Sequence, residues 1–500
     1  MKLIELLTGN SIKEITGNAE IEISDIVYDS RKAKQNSLFV AMKGAQFDGH
    51  RFIVDAIGSG ASAVVLEDND VVNDEYFLSH NITKVLVPGS RRALAIISAN
   101  YFQWPGKKLK VIGVTGTNGK TTSTYLIDWI LRSGGERVLL VGTIKYLLNG
   151  ETLETATNTT PESFELNRMM AAAVSKKATS AVMEVSSHSL VMDRVFGIPF
   201  KVALFTNLTQ DHLDFHRTME EYFEAKKLLF DSLTGESIAV VNIDDEYGER
   251  IAGGVRARKF SYGFSPVADF QVSKFSFGMA GTEVSIRYQG KEFEIKSMLV
   301  GKFNAYNLAG AFATGVSVGY EPGFVAEALC KVPSVKGRFE RLDSGKGFMV
   351  VIDYAHSPDS LQKTLQSARE ILASEEKGGR LITVFGCGGN RDRAKRPQMG
   401  KIAEDLSQIT IVTSDNPRFE IPESIVEEIF AGIRAGDESV LRIVDRSDAI
   451  GKAISLARPN DIVVLAGKGH ENYQDIKGVK HHFDDHEEVE KALGLLDAPE

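Results

Sequence analysis

Cysteine is nearly missing from this 500-residue chain: Cys330 and Cys387 are the only two. No disulfide framework or cysteine-ligated zinc site is indicated, and a reducing compartment fits. Long apolar runs are missing too. No stretch reaches the roughly 18 residues that cross a bilayer, so no membrane insertion is expected. The opening MKLIELLTGNSIKEI carries Glu5 and no extended apolar segment, unlike a secretion leader. Positive charge is not in excess, since 58 Lys and Arg face 67 Asp and Glu for a net −9. That argues against general nucleic-acid binding. Internal repeats and low-complexity tracts are lacking. The remainder, 43% hydrophobic and 25% charged, is the composition of a globular cytoplasmic enzyme or binding protein of about three domains at roughly 150 residues each.

The stretch KVIGVTGTNGKTTST, residues 110–124, is the most informative. A short apolar run leads into a glycine turn, and Lys120, Thr121 and Thr122 open a helical segment. Backbone N–H groups and the helix dipole at such a turn favour phosphate oxygens, the Lys adds charge, and a Thr hydroxyl can bind Mg²⁺. The spacing is tighter than a strict P-loop, because Val114 stands five residues before Gly119 where that pattern has Gly. An ordinary strand–helix turn with a chance Gly-Lys-Thr is the alternative.

Residues 1–104 alternate short strand-like runs (37–42, 61–67, 84–87) with polar turns, as a small α/β unit. Residues 105–334 hold strand candidates at 111–114, 137–141, 180–185, 202–206 and 238–242 separated by helical segments, the pattern of a mostly parallel sheet. Within them, 266–296 alternate apolar and polar and predict a small antiparallel insertion. Residues 303–318 predict a buried helix rich in small residues. After a Pro- and Gly-bearing linker near 333–337, residues 335–500 predict a second open α/β domain with strands at 349–352, 381–385, 409–413 and 462–465. The acidic tail from 484 to 500 reads as a solvated end helix.

Ligands of open α/β sheets bind beyond the carboxyl ends of the strands. There the chain places Glu184, a suitable carboxylate for nucleotide-bound Mg²⁺, and the run Asn207–Asp214 around His212. His212 is an unusual Mg²⁺ ligand on hardness grounds and serves equally well as a hydrogen-bonding residue; Asp211 and Asp214 could orient it or cap the loop. Thr218 and Glu221 have capping-box spacing. In the helix that follows, Met219, Phe223, Lys226 and Phe230 share one face, with Lys227 turned away. Lys226 either snorkels or points inward at the phosphate site. In the C-terminal domain, four strands end in Asp353–His356, Gly386–Arg393, Asp415–Arg418 and Gly467–Glu471, a setting for a charged, zwitterionic ligand.

These residues, with NTTP (158–161), MEVSSHSLVMDRV, TNLTQDHLDFH, GKFNAYN, GRFERL, DYAHSPD, GCGGNRDR, DNPR and GKGHENYQ, resemble the Mur ligase family along essentially the whole chain. Within it they look most like the type that adds the third amino acid to the peptidoglycan precursor. The resemblance implies three domains: a UDP-binding unit, a central P-loop-type ATPase and a Rossmann-like C-terminal domain. It further implies an ATP- and Mg²⁺-dependent ligase acting through an acyl phosphate on small-molecule substrates, expected as a monomer.

By matched motif, the catalytic group would be Lys120, Glu184, His212 and Lys226, the last as a carbamylated lysine. Metal ligands would be Thr121, Glu184 and His212. ATP would meet Gly116, Thr117, Asn118, Gly119, Lys120, Thr121, Thr122, Asn304, Arg338, Asp353 and His356. The UDP-muramoyl-dipeptide would meet Ser30, Arg31, Asn158, Thr159, Thr160, Ser186 and Arg194, with Asp48–His50 more loosely matched. Met192 departs from the Gln often found in such relatives. Diaminopimelate would meet Arg391, Asp415, Asn416, Pro417, Arg418, Gly467 and Glu471. In DNPR the guanidinium suits the second carboxylate that distinguishes meso-diaminopimelate from L-lysine. A folylpolyglutamate-synthetase-like ligase and a nucleotide-binding regulator without catalysis are the alternatives. DSR, DGH and DNPR speak against the first, and the full set Lys120, Glu184, His212 and Lys226 against the second.

Overall fold

In the computed structural model, the described residues are 1–44, 48–156, 158–278, 281–375, 377–434, 436 and 438–494. The tail beyond 494 that was read as part of an end helix, and Phe47 at the edge of the DGH turn, lie outside them; the helix itself spans Asp485–Leu493.

Three sheets carry the chain. The N-terminal one has five strands in the order Glu14–Thr16, Thr83–Leu86, Ala61–Leu66, Ser37–Val40 and Asp25–Val27, with the first antiparallel. The C-terminal one has six, Glu340–Asp343, Met349–Asp353, Ile462–Ala466, Leu381–Phe385, Ile409–Val412 and Val440–Arg442, antiparallel only at the first pair. The two edge strands were not legible: Glu340–Asp343 is only partly buried and Val440–Arg442 has three residues.

The central sheet has eleven strands. Lys110–Thr115 lies in its middle, parallel to Phe200–Phe205 on one side and Ser180–Glu184 on the other. Three adjacent strands therefore release their chains at one edge. Both faces are covered, so these strands read as continuous apolar runs: Val111, Ile112 and Val114 are fully buried. The helices Lys120–Ser133 and Lys302–Ser317 pack on one face, and Ser163–Ser175 and Met219–Asp231 on the other.

Among the described residues of 266–296 the strands pair antiparallel, as their alternation predicts, and they extend the central sheet. Phe270–Gly278 runs parallel to Arg258–Gly263, and Gly281–Tyr288 and Lys291–Ser297 then extend the same sheet antiparallel. Their inner residues Phe270, Val284, Ile286 and Ile295 join the core beneath Phe312, and this burial fuses them to the sheet. At the opposite edge the hairpin Lys145–Leu148 and Glu151–Thr155 continues it.

Candidate active site

The turn after Lys110–Thr115 could be no other residue at Gly116. Its φ is +150°, and a Cβ would lie 1.9 Å from Thr206 Oγ1. Thr206 donates to the Asn118 carbonyl at 2.6 Å, and Asn207 Oδ1 accepts the Asn118 N–H at 3.0 Å. The neighbouring strand end thus splints the loop from outside and leaves the N-terminus of helix Lys120–Ser133 as an anion seat. Lys120 folds back, donating to the carbonyls of Gly116 at 2.9 Å and Thr117 at 2.8 Å. Desolvation holds its pKa below the usual lysine value.

Glu184, almost fully buried, faces that helix. Thr121 Oγ1 stands 3.0 Å from both of its oxygens. Thr143, which sequence reasoning missed, donates its N–H to Oε1 at 2.8 Å and its hydroxyl to Oε2 at 3.1 Å. Gly142 must be glycine for this, because a Cβ would meet Oε1 at 2.4 Å. The strand-end rule, applied to Val138–Val141, was the available signal.

Lys226 settles the snorkelling question. Thr218 Oγ1 accepts the Glu221 N–H at 3.1 Å and starts the helix as its spacing predicts. On the buried face Lys226 is 1% exposed, donates to the Gly116 carbonyl at 2.8 Å and lies 4.4 Å over the Tyr222 ring. Lys227 points outward to Asp231. Desolvation, with Lys120 nearby, drives Lys226 well below the usual ammonium range, because an unpaired buried charge is costly. Burial at the phosphate loop thus favours its uncharged form.

His212 lies nearer the surface. It sits in left-handed backbone at φ +52°, with its ring edge-on to His188 at 5.0 Å and 3.6 Å from Asp211. Desolvation keeps its pKa below the usual imidazole range despite Asp211. Among the described residues no three His, Cys, Asp or Glu side chains gather into a metal cage. The oxygen pair Thr121 and Glu184 does suit Mg²⁺, which keeps waters and shares phosphate oxygens.

The residues expected for the dipeptide divide. Thr159 reaches the Thr143 hydroxyl at 3.1 Å, and Thr160 donates to the Glu184 carbonyl at 2.8 Å and to Ser186 at 3.4 Å. Asn158 accepts at its carbonyl from Tyr146 at 2.6 Å. Arg194 donates to the Thr160 carbonyl at 2.9 Å and pairs with Glu162 at 2.9 Å. Met192 sulfur lies 3.6 Å from Arg194 Nη2. These line one wall beside Glu184. Ser30 and Arg31 sit apart, on a 3₁₀ turn of the N-terminal unit, with Arg31 87% exposed and paired to Asp29. His50 uses both ring nitrogens internally, toward Asp48 at 2.6 Å and the Glu67 N–H at 3.2 Å.

The C-terminal domain is docked on this edge. Arg338 donates to Thr121 Oγ1 at 3.0 Å, and its guanidinium lies 4.7 Å over Tyr354. His356 is exposed, bonds the Tyr354 carbonyl at 2.8 Å and feels Asp211. Asn304 is buried and bonded to Val300 and Asn307, and Asn307 Oδ1 in turn reaches Ser123 at 3.4 Å. Asp353 takes the Phe339 N–H at 2.7 Å and the Thr364 hydroxyl at 3.0 Å, and burial raises its pKa.

Around the DNPR turn, Asn416 Nδ2 donates to Glu471 at 2.7 Å, and fully buried Lys468 donates to Asn416 at 3.3 Å and Glu471 at 3.4 Å. Burial and Asp415 raise the pKa of Glu471. Asp415 lies against Gly467; burial opposes its charge, yet Lys468 and Arg446 hold its pKa below the usual range. Arg418 occupies left-handed backbone at φ +51° and donates from Nη1 to the Gly389 carbonyl at 2.9 Å. A hairpin that carried no sequence signal, Tyr473–Ile476 with Val479–His482, locks it: Arg418 N–H donates to Asp475 O at 2.9 Å and Lys477 N–H to Arg418 O at 2.7 Å. A Cβ on Gly388 would lie 2.8 Å from Arg418 Nη1 and 3.7 Å from Arg391 Cγ, so the Arg418 guanidinium and the stem of Arg391 meet at one glycine. Two cations and a carboxylate around one loop can hold a zwitterion with an extra acid group.

Comparison with known proteins matches residues 22–102 to the Mur ligase family, catalytic domain, 114–315 to the Mur ligase middle domain, and 337–469 to the Mur ligase, glutamate ligase domain. The UDP-N-acetylmuramoyl-L-alanyl-D-glutamate–2,6-diaminopimelate ligase 1 of Clostridium acetobutylicum is 42% identical over 498 residues, 99% of this chain and 100% of that protein. The ligase so named in Syntrophomonas wolfei is 43% identical over 496 residues, 99% of both. A solved structure of a ligase of that name aligns with TM-score 0.68 and 31% identity over 99% of both chains. A MurF structure from Acinetobacter baumannii, 17% identical with TM-score 0.64 over 99% of this chain and 98% of its own, shares the fold.

Proposed function

This chain belongs to the Mur ligase family, and we propose that it is the ATP-dependent, ADP-forming ligase that joins meso-2,6-diaminopimelate to UDP-N-acetylmuramoyl-L-alanyl-D-glutamate in peptidoglycan precursor synthesis. One structural observation carries the choice of amine: Arg418 is pinned by the hairpin in the same turn as Asn416, whose side chain holds Glu471. The Arg418 guanidinium would take the second carboxylate of the amino acid, and Glu471 an ammonium.

Residues 1–104 would hold the UDP end, 105–334 ATP, and 335–500 the incoming amino acid. The substrate carboxylate attacks the γ-phosphorus of ATP, ADP departs, and the amine attacks the acyl phosphate with loss of phosphate. The barrier is charge on phosphoryl oxygens. Lys120 would stabilise it after leaving the loop carbonyls for the phosphate, while the loop N–H groups hold the chain of oxygens. Thr121 and Glu184 would hold Mg²⁺, whose charge supplies further neutralisation, and His212 would be a further ligand. Lys226, a buried amine whose uncharged form is favoured, is suited to add CO₂ and become an anionic carbamate beside that cation. Thr160, Ser186 and Arg194 would orient the dipeptide. Among the described residues no helix is long and apolar enough to cross a membrane, and a cytoplasmic monomer fits soluble substrates.

The test is ADP release by the purified protein with ATP, UDP-muramoyl-dipeptide and one amine at a time. Turnover is expected with meso-diaminopimelate and not with L-lysine or glutamate. Equal use of lysine refutes the choice of amine, and no ADP with any amine refutes the ligase.

A further inference from the structure

Asp359 stands in the first turn of helix Pro358–Glu375, where the helix dipole favours a carboxylate. Its Oδ2 accepts from Asn118 Nδ2 at 2.8 Å and Thr209 Oγ1 at 3.1 Å, and Lys363, one turn on, pairs with it at 2.9 Å. Asn118 belongs to the phosphate loop and Thr209 to the loop after the neighbouring strand. Those two walls are knitted together, since Thr209 N–H donates to Thr117 Oγ1 at 3.0 Å and that hydroxyl donates to the Thr209 carbonyl at 3.1 Å. A single carboxylate of the C-terminal domain therefore grips both walls of the phosphate loop.

We propose that Asp359 is a positioning residue for ligation, docking the amine-presenting domain on the phosphate loop through Asn118 and Thr209. This rests on the ligase reading above. In that reaction the acyl phosphate forms at the central sheet and the amine waits on the C-terminal one, so attack needs the two sheets in register. A misplacement of about 1 Å costs on the order of a hundredfold in rate. Other contacts also join the domains: Arg338, just after the linker, reaches Thr121, and Phe277, Val300 and Phe303 pack against the C-terminal core. Asp359 grips the phosphate loop itself and fixes the angle.

The experiment uses the full-length protein with spin labels on exposed Cys330 and on an introduced Lys452→Cys, with Cys387 buried. Wild type is expected to give a narrow interdomain distance distribution without nucleotide. Asp359→Ala should broaden it, raise KM for the amine and lower kcat by about tenfold or more, with a smaller change in KM for ATP. Asp359→Asn should retain most of both, because an amide oxygen still accepts from both donors. Thr209→Val, which removes one grip from the other wall, should fall between. An unaltered distance distribution in Asp359→Ala overturns the proposal, as does a loss of thermal stability with wild-type kinetic constants. A wild-type protein that releases no ADP with any amine would refute the ligase, and the distances would still decide the docking role.

Discussion

Replacing Arg418 by Ala separates the contribution of its side chain from that of its backbone. The residue sits at φ +51°, a conformation that costs any L side chain about 1–2 kcal/mol, so Ala meets the same penalty as Arg. The hairpin bonds to Asp475 and Lys477 are backbone bonds and survive. Two interactions are lost. The Nη1 bond to Gly389 contributes about 0.5–1.5 kcal/mol and is blind to which amine is bound. The proposed pairing with the second carboxylate of diaminopimelate would contribute about 2–5 kcal/mol and has no counterpart in L-lysine. The expected outcome is a fall in kcat/KM for diaminopimelate of roughly 30- to 5,000-fold, with KM for ATP nearly unchanged and L-lysine still not used. Arg418→Lys keeps a charge but not the fork and should lie between. The assay is steady-state ADP release with each amine at saturating ATP and UDP-muramoyl-dipeptide. A fall of about tenfold or less, no more than the Nη1 bond to Gly389 accounts for, would show that Arg418 only props the loop and would refute the reasoning.

Lys226→Met should abolish turnover while the fold persists, and in the wild type ¹³C-labelled bicarbonate should give a carbamate resonance that the variant lacks; an active enzyme with no such signal would refute the modification. Gly142→Ala places a Cβ 2.4 Å from Glu184 Oε1, so it should weaken Mg²⁺ activation by about tenfold or more, read as the Mg²⁺ concentration for half-maximal rate. Glu420, whose hydrogen bonds to Arg396 hold its pKa at about 2, bears on stability in acid. Its folded pKa lies below the unfolded one, so the contribution is complete above about pH 4.5 and is lost as pH falls toward 2. The stability gap between wild type and Glu420→Gln should be about 1–2 kcal/mol at pH 7 and should close below pH 4 in denaturant titrations.

The parallel strands were legible because two-sided burial writes them as apolar runs; helical phase put Lys226 on the apolar face, but whether its amine snorkels or turns inward has no sequence signal. Thr143 was missed because a short polar residue after a strand has no pattern of its own; Gly142 was the sign. Asp359 looks like an ordinary first-turn acid until the other domain is in view. The hairpin that locks Arg418 is mostly exposed, so no hydrophobic alternation marked it. The His212 match was to a motif, and motif order says nothing of which way a ring turns in left-handed backbone.

Lys120 has a consequence for ligand choice. By tying its ammonium to the carbonyls of Gly116 and Thr117, the loop carries its own plug. A guest must offer enough negative charge to draw the lysine off two oxygens it already holds. A nucleoside or a monophosphate makes a poor key, and a triphosphate a good one. On the ligase reading, phosphate count would then matter at entry as well as in the chemistry.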